Sequence, residues 1–332
     1  MVKRILVPLD GSARAEGALP AAGWIARGSG GTVVLMQVVN FPATYGQYLA
    51  QTRAFTSDLL DVQQIQAENY LKHMAKSDDL DGVEKTIQVV RGAPALAILA
   101  VAHEQQADLI LLCSHGRTGL RRWALGSAVQ KVARQSPVPV LVLREGGPQL
   151  VRAYSDMARL FRGLVPLDGS ALAEEALVPA ADLIMALSTS ETGVLHLTCV
   201  VELPAADSEP GQHLEPQARE QALSQATTYL STVADQLRHD LAGTRQPAIT
   251  WSVVTDEDVA HGILRVAEEG ESADYDLIAM ATHGRSGIQR WVVGSITERV
   301  LLATKRPLLI VRSWKAREEG SGGETTEAEI SS

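Results

Sequence analysis

At 332 residues the chain has room for about two domains of ordinary size, each with its own core. Hydrophobic residues make up 45% and charged residues 21%, and a net charge of −9 speaks against general affinity for nucleic acid or an anionic membrane surface. The two cysteines, Cys113 and Cys199, each lie in an apolar run; no disulfide framework is indicated, no stretch has the roughly 18 apolar residues of a membrane span, and the start lacks a signal-peptide pattern, so a cytoplasmic protein is expected.

In chain order, the first half reads as strand 3–9, helix 13–27, strand 32–39, a helix over about 50–77, strand 85–91, helix 94–105, strand 108–113, helix 127–135 and strand 138–143. The second half repeats the pattern, with strands at 162–167, 193–201, 249–255, 276–281 and 306–312. Continuously apolar strands separated by helices predict a parallel sheet covered on both faces. Aromatics are only 4% of the chain, so the cores must be built mainly of Ala, Leu, Val and Ile.

The halves are copies of one unit. "VPLDGSA" stands at 7–13 and again at 165–171, and 107–144 aligns without a gap to 275–312. The length difference between the copies falls in the middle, where 45–83 and 205–247 show no kinship, as surface connections allow. The expected boundaries are a first domain at 1–145, a linker at 146–160 and a second domain at 161–314. Residues 315–332 are polar, acidic and rich in Gly and Ser, which predicts a disordered tail.

Two junctions carry the residues that could do chemistry. The first strand ends in Asp10-Gly11-Ser12, and its copy in Asp168-Gly169-Ser170. These residues could simply turn the chain and cap a helix. The acid also sits at the carboxyl end of a strand, where open α/β sheets bind ligands, and would suit nucleoside hydroxyls or an exocyclic amine.

The fourth strand runs into Ser114-His115-Gly116 and, nine residues on, Gly126-Ser127 at a helix start; the copy has Thr282-His283-Gly284 and Gly294-Ser295. Helix starts present backbone N–H groups to anions. Ser127 with Gln130, and Ser295 with Glu298, also each spell a capping box, which explains the serine without a ligand. In a 3-2-1-4-5 strand order the first and fourth strands are neighbours at the switch point, so both junctions face one crevice.

The combination P-x-D-G-S after the first strand and H-G-x9-G-S after the fourth resembles the universal stress protein family, here as a tandem pair spanning about 1–144 and 160–313. That resemblance implies two Rossmann-like α/β domains of the adenine-nucleotide alpha-hydrolase type, each a five-stranded parallel sheet in order 3-2-1-4-5. It implies a stress-response protein that binds ATP or another adenine nucleotide, with Mg²⁺ or Mn²⁺ alongside, or an interaction protein with an empty crevice. A slow ATPase or phosphotransfer enzyme is a third possibility, although nothing in the sequence supplies a general base. Assembly would be an intrachain pseudo-dimer of the two domains, with a homodimer of the whole chain as a further possibility.

ATP-binding members carry G-x2-G-x9-G-[ST]. On this chain the second and third glycines and the serine are Gly116, Gly126 and Ser127, then Gly284, Gly294 and Ser295. The first glycine is replaced by Cys113 and by Ala281, which puts a Cβ beside the ribose position. The resemblance places Asp10, Val38, Asp168 and Val200 at the nucleoside end and the glycines and serines at the phosphates. Finally, each half closes on an apolar strand, 138–144 and 306–312, at the edge of its sheet; unpaired apolar edges are aggregation hazards, so these two should pair across a pseudo-twofold axis.

Overall fold

The computed structural model describes residues 2–40, 53–114, 126–144, 150, 160–188, 193–203, 216–242, 245–268, 275–282 and 294–312. The expected tail, and all of the expected linker except residues 150 and 160, lie outside them. In the first half the elements are β1 (Arg4–Leu9), α1 (Ala13–Glu16), α2 (Leu19–Ser29), β2 (Thr32–Val39), α3 (Arg53–Met74), β3 (Glu84–Arg91), α4 (Pro94–Glu104), β4 (Leu109–Cys113), α5 (Ser127–Gln135) and β5 (Val140–Leu143). The second half supplies β6 (Arg162–Pro166), α6 (Ala171–Glu174), α7 (Leu177–Leu187), β7 (Val194–Glu202), α8 (Pro216–Asp240), β8 (Ala248–Asp256), α9 (Val259–Glu268), β9 (Leu277–Thr282), α10 (Ser295–Ala303) and β10 (Leu308–Arg312).

One expected element divides. The run 13–27 forms two helices, α1 and α2, because Pro20 cannot donate an intrahelical hydrogen bond and fits only a first turn. The break falls at Gly17-Ala18, and Pro20 occupies the opening turn of α2. The second half breaks at the same place, between α6 and α7.

Among the described residues, ten strands form a single sheet in the order β3-β2-β1-β4-β5-β10-β9-β6-β7-β8, which is 3-2-1-4-5 written once and then reversed. Pairing is parallel within each half, as between β1 and β2, β1 and β4, or β6 and β9. Among the described residues the joint is the one antiparallel pair: β5 lies against β10 with Val142 opposite Leu308, Leu141 opposite Leu309 and Val140 opposite Ile310. Each apolar edge thus hydrogen-bonds to the other.

Both faces of the joint are buried. One apolar cluster runs from Ile5, Leu35 and Leu111 through Leu141 and Leu309 to Val165 and Leu197. The other runs from Leu6, Ile110 and Val142 through Leu308 and Ile310 to Ile278 and Leu164. Full burial of each such side chain stabilises by about 1.5–3 kcal/mol. The two cores are therefore continuous between halves.

Helices also cross the joint. The Trp24 indole N–H on α2 donates to the Leu187 carbonyl at the end of α7, at 3.0 Å. Gly28 abuts α7 so closely that a Cβ there would overlap the Ala186 carbonyl oxygen. On the opposite face Arg134 of α5 pairs with Glu298 of α10 at 2.7 Å. Among the described residues no helix is long and apolar enough to cross a membrane.

Candidate functional site

The first junction folds the same way in both halves. Gly11 and Gly169 take φ of +80° and +83°, a region that strains any side-chain-bearing residue. The turn they allow lets Asp10 Oδ1 accept from the Ser12 N–H at 3.0 Å and from the Ser12 hydroxyl at 2.6 Å. Ser12 Oγ in turn accepts from the Ala15 N–H at 3.2 Å and caps α1. Asp168, Ser170 and Ala173 repeat the arrangement at 3.0, 2.5 and 3.1 Å. The capping role of these serines is thus real, and one oxygen of each aspartate serves it.

At the second junction the capping box does not form. The N-caps of α5 and α10 are Gly126 and Gly294, without a side-chain cap hydrogen bond, and Ser127 and Ser295 stand one position inside the helix. The Gln130 and Glu298 N–H groups bond to the Gly126 and Gly294 carbonyls, at 3.0 and 2.9 Å. A serine at the first helical position no longer points its hydroxyl at the N–H of the third helical residue, which a capping-box serine satisfies. Glu298 instead meets Arg134 across the joint.

Gly126 has an ordinary negative φ of −58°. A Cβ added there would stand 3.6 Å from the Ser114 carbonyl and 3.8 Å from Val129, which is normal contact. Neither backbone conformation nor packing within the described chain requires glycine at this position.

The residues converge in the second half. A cavity of about 270 Å³ is lined by Asp168, Val200, Ala281, Gly294 and Ser295, with Cys199, Met280 and Thr297 among its other walls. It opens at the carboxyl ends of β6 and β9, at the switch point between them. Thr297 is buried and donates its hydroxyl to the Ala281 carbonyl at 3.3 Å, which leaves the α10 start facing the space. Gly284 lies outside the described residues, as do Gly116 and the histidines, arginines and tryptophans of 115–125 and 283–293.

In the first half Asp10, Val38, Cys113, Gly126 and Ser127 occupy the corresponding places on β1, β2, β4 and α5. Val38 and Val200 both pack partly buried on the same sheet face. The Cys113 sulfur lies 4.0 Å from the Ala15 carbonyl, directed at α1. It does not approach Gly126, so its extra atom is spent against the helix.

The structure adds a tyrosine–glutamate pair to each half that no sequence motif marks. The Tyr70 hydroxyl on α3 donates to Glu16 at the end of α1, at 3.0 Å, and Tyr229 on α8 donates to Glu174 on α6 at the same distance. Burial first, and then the glutamate, push both phenols well above the ordinary tyrosine range, with Asp10 or Asp168 adding to it. The glutamates were visible in "DGSARAE" and "DGSALAE", six residues after each aspartate. The Cys199 thiol, raised by burial and then by Asp168, stays protonated beside this pair.

Comparison with known proteins agrees with this architecture. The profile of the universal stress protein family matches residues 1–144 and again 162–312. A universal stress protein of Methanocaldococcus jannaschii is 31% identical over 145 residues, covering 44% of this chain and 84% of its own. The crystal structure of a universal stress protein from Archaeoglobus fulgidus superposes with a TM-score of 0.65 at 20% identity, over 93% of this chain and 98% of that one. A protein of unknown function from Pseudomonas aeruginosa, PA1789, has a TM-score of 0.57 at 15% identity, over 96% of this chain and 95% of its own. The double fold, joined edge to edge with a repeated Asp-Gly-Ser turn, is that of a tandem pair of Rossmann-like α/β domains. The chain belongs to the universal stress protein family, with two copies of the family's domain.

Proposed function

We propose that this tandem universal stress protein is a cytoplasmic sensor that binds ATP or a related adenine nucleotide. The observation that carries the reading is the second-half cavity, whose walls include every described second-half residue that the family pattern points to: Asp168, Val200, Ala281, Gly294 and Ser295. At about 270 Å³ it lies just below the roughly 300–1,000 Å³ of small-molecule sites. The ungoverned glycine at 126 supports the same use, because a phosphate close to the backbone is one reason to exclude a side chain.

In this reading Asp168 and Val200 meet the nucleoside, and the α10 start, with Gly284, Gly294 and Ser295, meets the phosphates. Asp10, Val38, Cys113, Gly116, Gly126 and Ser127 do the same in the first half. Mg²⁺ or Mn²⁺ would enter with the nucleotide, held by its phosphate oxygens; among the described residues no three His, Cys, Asp or Glu side chains come together as a metal cluster.

The second reading is an interaction protein of the same fold whose crevices stay empty. The side chains of Cys113 and Ala281, where ATP-binding relatives have glycine, favour it. Denaturing freshly purified protein and chromatographing the supernatant separates the two. Released adenine nucleotide supports the sensor. Hydrolysis at about 1 s⁻¹ or faster, the range of working enzymes, contradicts a sensor.

A further inference from the structure

Strand β8 ends the sheet: among the described residues it pairs with β7 on one side and has no strand on the other. The Ala248 N–H donates to the Gly193 carbonyl, and the Asp256 carbonyl accepts from the Leu203 N–H, so the even-numbered residues of β8 turn their backbone toward β7. Successive residues of a strand turn their backbone groups to opposite sides. Ile249, Trp251, Val253 and Thr255 therefore face outward, along the open edge.

Open edges recruit further strands, and proteins blunt them with charged side chains in the strand itself. β3, at the other end of the sheet, carries Glu84, Lys85 and Arg91. β8 reads AITWSVVTD, with no Lys or Arg and an acid only at its last position. Its cover comes from the flanking helices. Arg238 of α8 donates from Nη2 to the Ile249 carbonyl at 2.8 Å, and Arg265 of α9 donates from Nη2 to the Thr255 carbonyl at 2.9 Å. An aspartate holds each arginine: Asp235 lies 2.6 Å from Arg238 Nη1, and Asp256 lies 3.1 Å from Arg265 Nε. Leu230 and Val233 of α8 pack on one face of the sheet and Ala260 and Ile263 of α9 on the other, so the edge is held from both sides.

This edge is complementary to itself. Set antiparallel about a twofold axis at Ser252, Ile249 opposes the partner's Thr255 and Trp251 opposes the partner's Val253. Every outward residue then meets an outward residue, and each such pair can exchange two hydrogen bonds. We propose that β8 is a docking edge for β8 of a second copy of this chain, and that Arg238 and Arg265 keep it closed. The outer pairs join the two guarded carbonyls, so each is blocked by one arginine from either copy. Only the inner pairs of Trp251 and Val253 stay open, too short a ladder to offset the freedom lost on association. Removing one arginine opens nothing, because the other copy still supplies a guard at each outer pair. Removing both opens the full length.

The test is light scattering of the whole chain over a concentration series, beside Arg238→Met, Arg265→Met and the double variant. Methionine keeps an apolar stem and removes the donors. The double variant is expected to rise about twofold in mass with concentration, and each single variant to follow the parent. Adding Ser252→Cys to the double variant should join two copies by a disulfide at that position on air oxidation. Opposed residues of a non-hydrogen-bonded antiparallel pair stand about 4.5 Å apart, within disulfide reach. In the parent, the outward N–H groups of Trp251 and Val253 should exchange with solvent unprotected at every concentration, as NMR reads directly.

A double variant whose mass tracks the parent overturns the proposal, as does a single variant that dimerises as fully. A disulfide formed as readily by Ser252→Cys with both arginines in place also overturns it. Protection of the Trp251 and Val253 amides in the parent does so without any substitution, which keeps the proposal refutable if the double variant folds poorly.

Discussion

The Arg144 guanidinium donates from Nε to the Thr304 carbonyl at 2.9 Å, so the residue just after the first half's edge strand caps a helix of the second half. Its Nη2 reaches the Leu302 carbonyl at 3.2 Å. Arg312, its counterpart in the repeat, donates to the Gln135 carbonyl at the end of α5, again at 3.2 Å. Cations are favoured at helix carboxyl ends, where carbonyls lack intrahelical partners. The joint is therefore sewn by reciprocal arginine caps as well as by β5 and β10.

If that joint holds the halves as one body, loosening it should uncouple their unfolding. Arg144→Ala removes two cross-joint hydrogen bonds and is expected to cost about 1 kcal/mol. Gly28→Val should cost more, about 1–3 kcal/mol, because its side chain overlaps the Ala186 carbonyl and forces α2 from α7. Urea unfolding followed by tryptophan fluorescence reads both. A single transition in the parent that broadens or splits in Gly28→Val is the expected result, and an unchanged transition argues against a coupled joint.

Thr198 offers a gain in stability. It is fully buried on β7, and among the described residues its hydroxyl oxygen has no hydrogen-bond partner. The first half has Met36 at this place, which is apolar and buried. Thr198→Val exchanges the hydroxyl for a methyl of similar volume and should stabilise by about 1 kcal/mol. A lower melting temperature than the parent would contradict it.

Much of the fold was legible because runs such as "RILVPL" and "LILLC" can be buried on both faces only inside a parallel sheet. The joint was legible for a related reason: "VLVL" and "LLIVR" are too apolar to remain open edges. What escaped depended on more than pattern. The S-x-x-E spelling at 295 matched a capping box, but helix α10 starts one residue earlier than that box requires, so Gly294 is the cap. The Tyr229–Glu174 bond was hidden because α3 and α8 lie in the stretches that do not align. The resemblance points to Val200, while Cys199 beside it joins the cavity wall with no motif to mark it.

The tyrosine pair makes an alkaline prediction. Tyr70 and Tyr229 have folded-state pKa values raised above the usual value of about 10. A raised value means the folded form keeps its proton after the unfolded chain has lost it. Their contribution is complete below about pH 10 and is lost as pH rises beyond it. Tyr70→Phe with Tyr229→Phe should lower stability at neutral pH by about 0.5–1.5 kcal/mol per bond and flatten the fall above pH 10. Denaturant midpoints across that range check both. A double variant as steep as the parent would exclude the pair as the cause.

The acid side is governed in part by His196. Burial, and then the nearby Arg162 charge, push its pKa down to about 4. Its ring nitrogens lie 2.8 Å from the Thr250 and Ser252 hydroxyls. Between the usual value of about 6.5 and about 4 the unfolded chain binds a proton that the folded chain refuses, so stability falls as pH falls through that window. His196→Gln should lessen the fall, as read by melting temperature in buffers spanning the window. An identical acid slope in the variant would assign the loss to other groups.

The central claim is that the crevice at the carboxyl ends of β6 and β9 takes an adenine nucleotide. Titration calorimetry of ATP with Mg²⁺ into the whole chain, beside Gly294→Val and the double variant Gly126→Val/Gly294→Val, tests it most directly. The account predicts saturable binding to the unaltered chain, loss of the second-half site in Gly294→Val, and no binding to the double variant. Binding of equal affinity and stoichiometry in all three proteins, or none to the unaltered chain after any co-purified nucleotide has been removed, would contradict it.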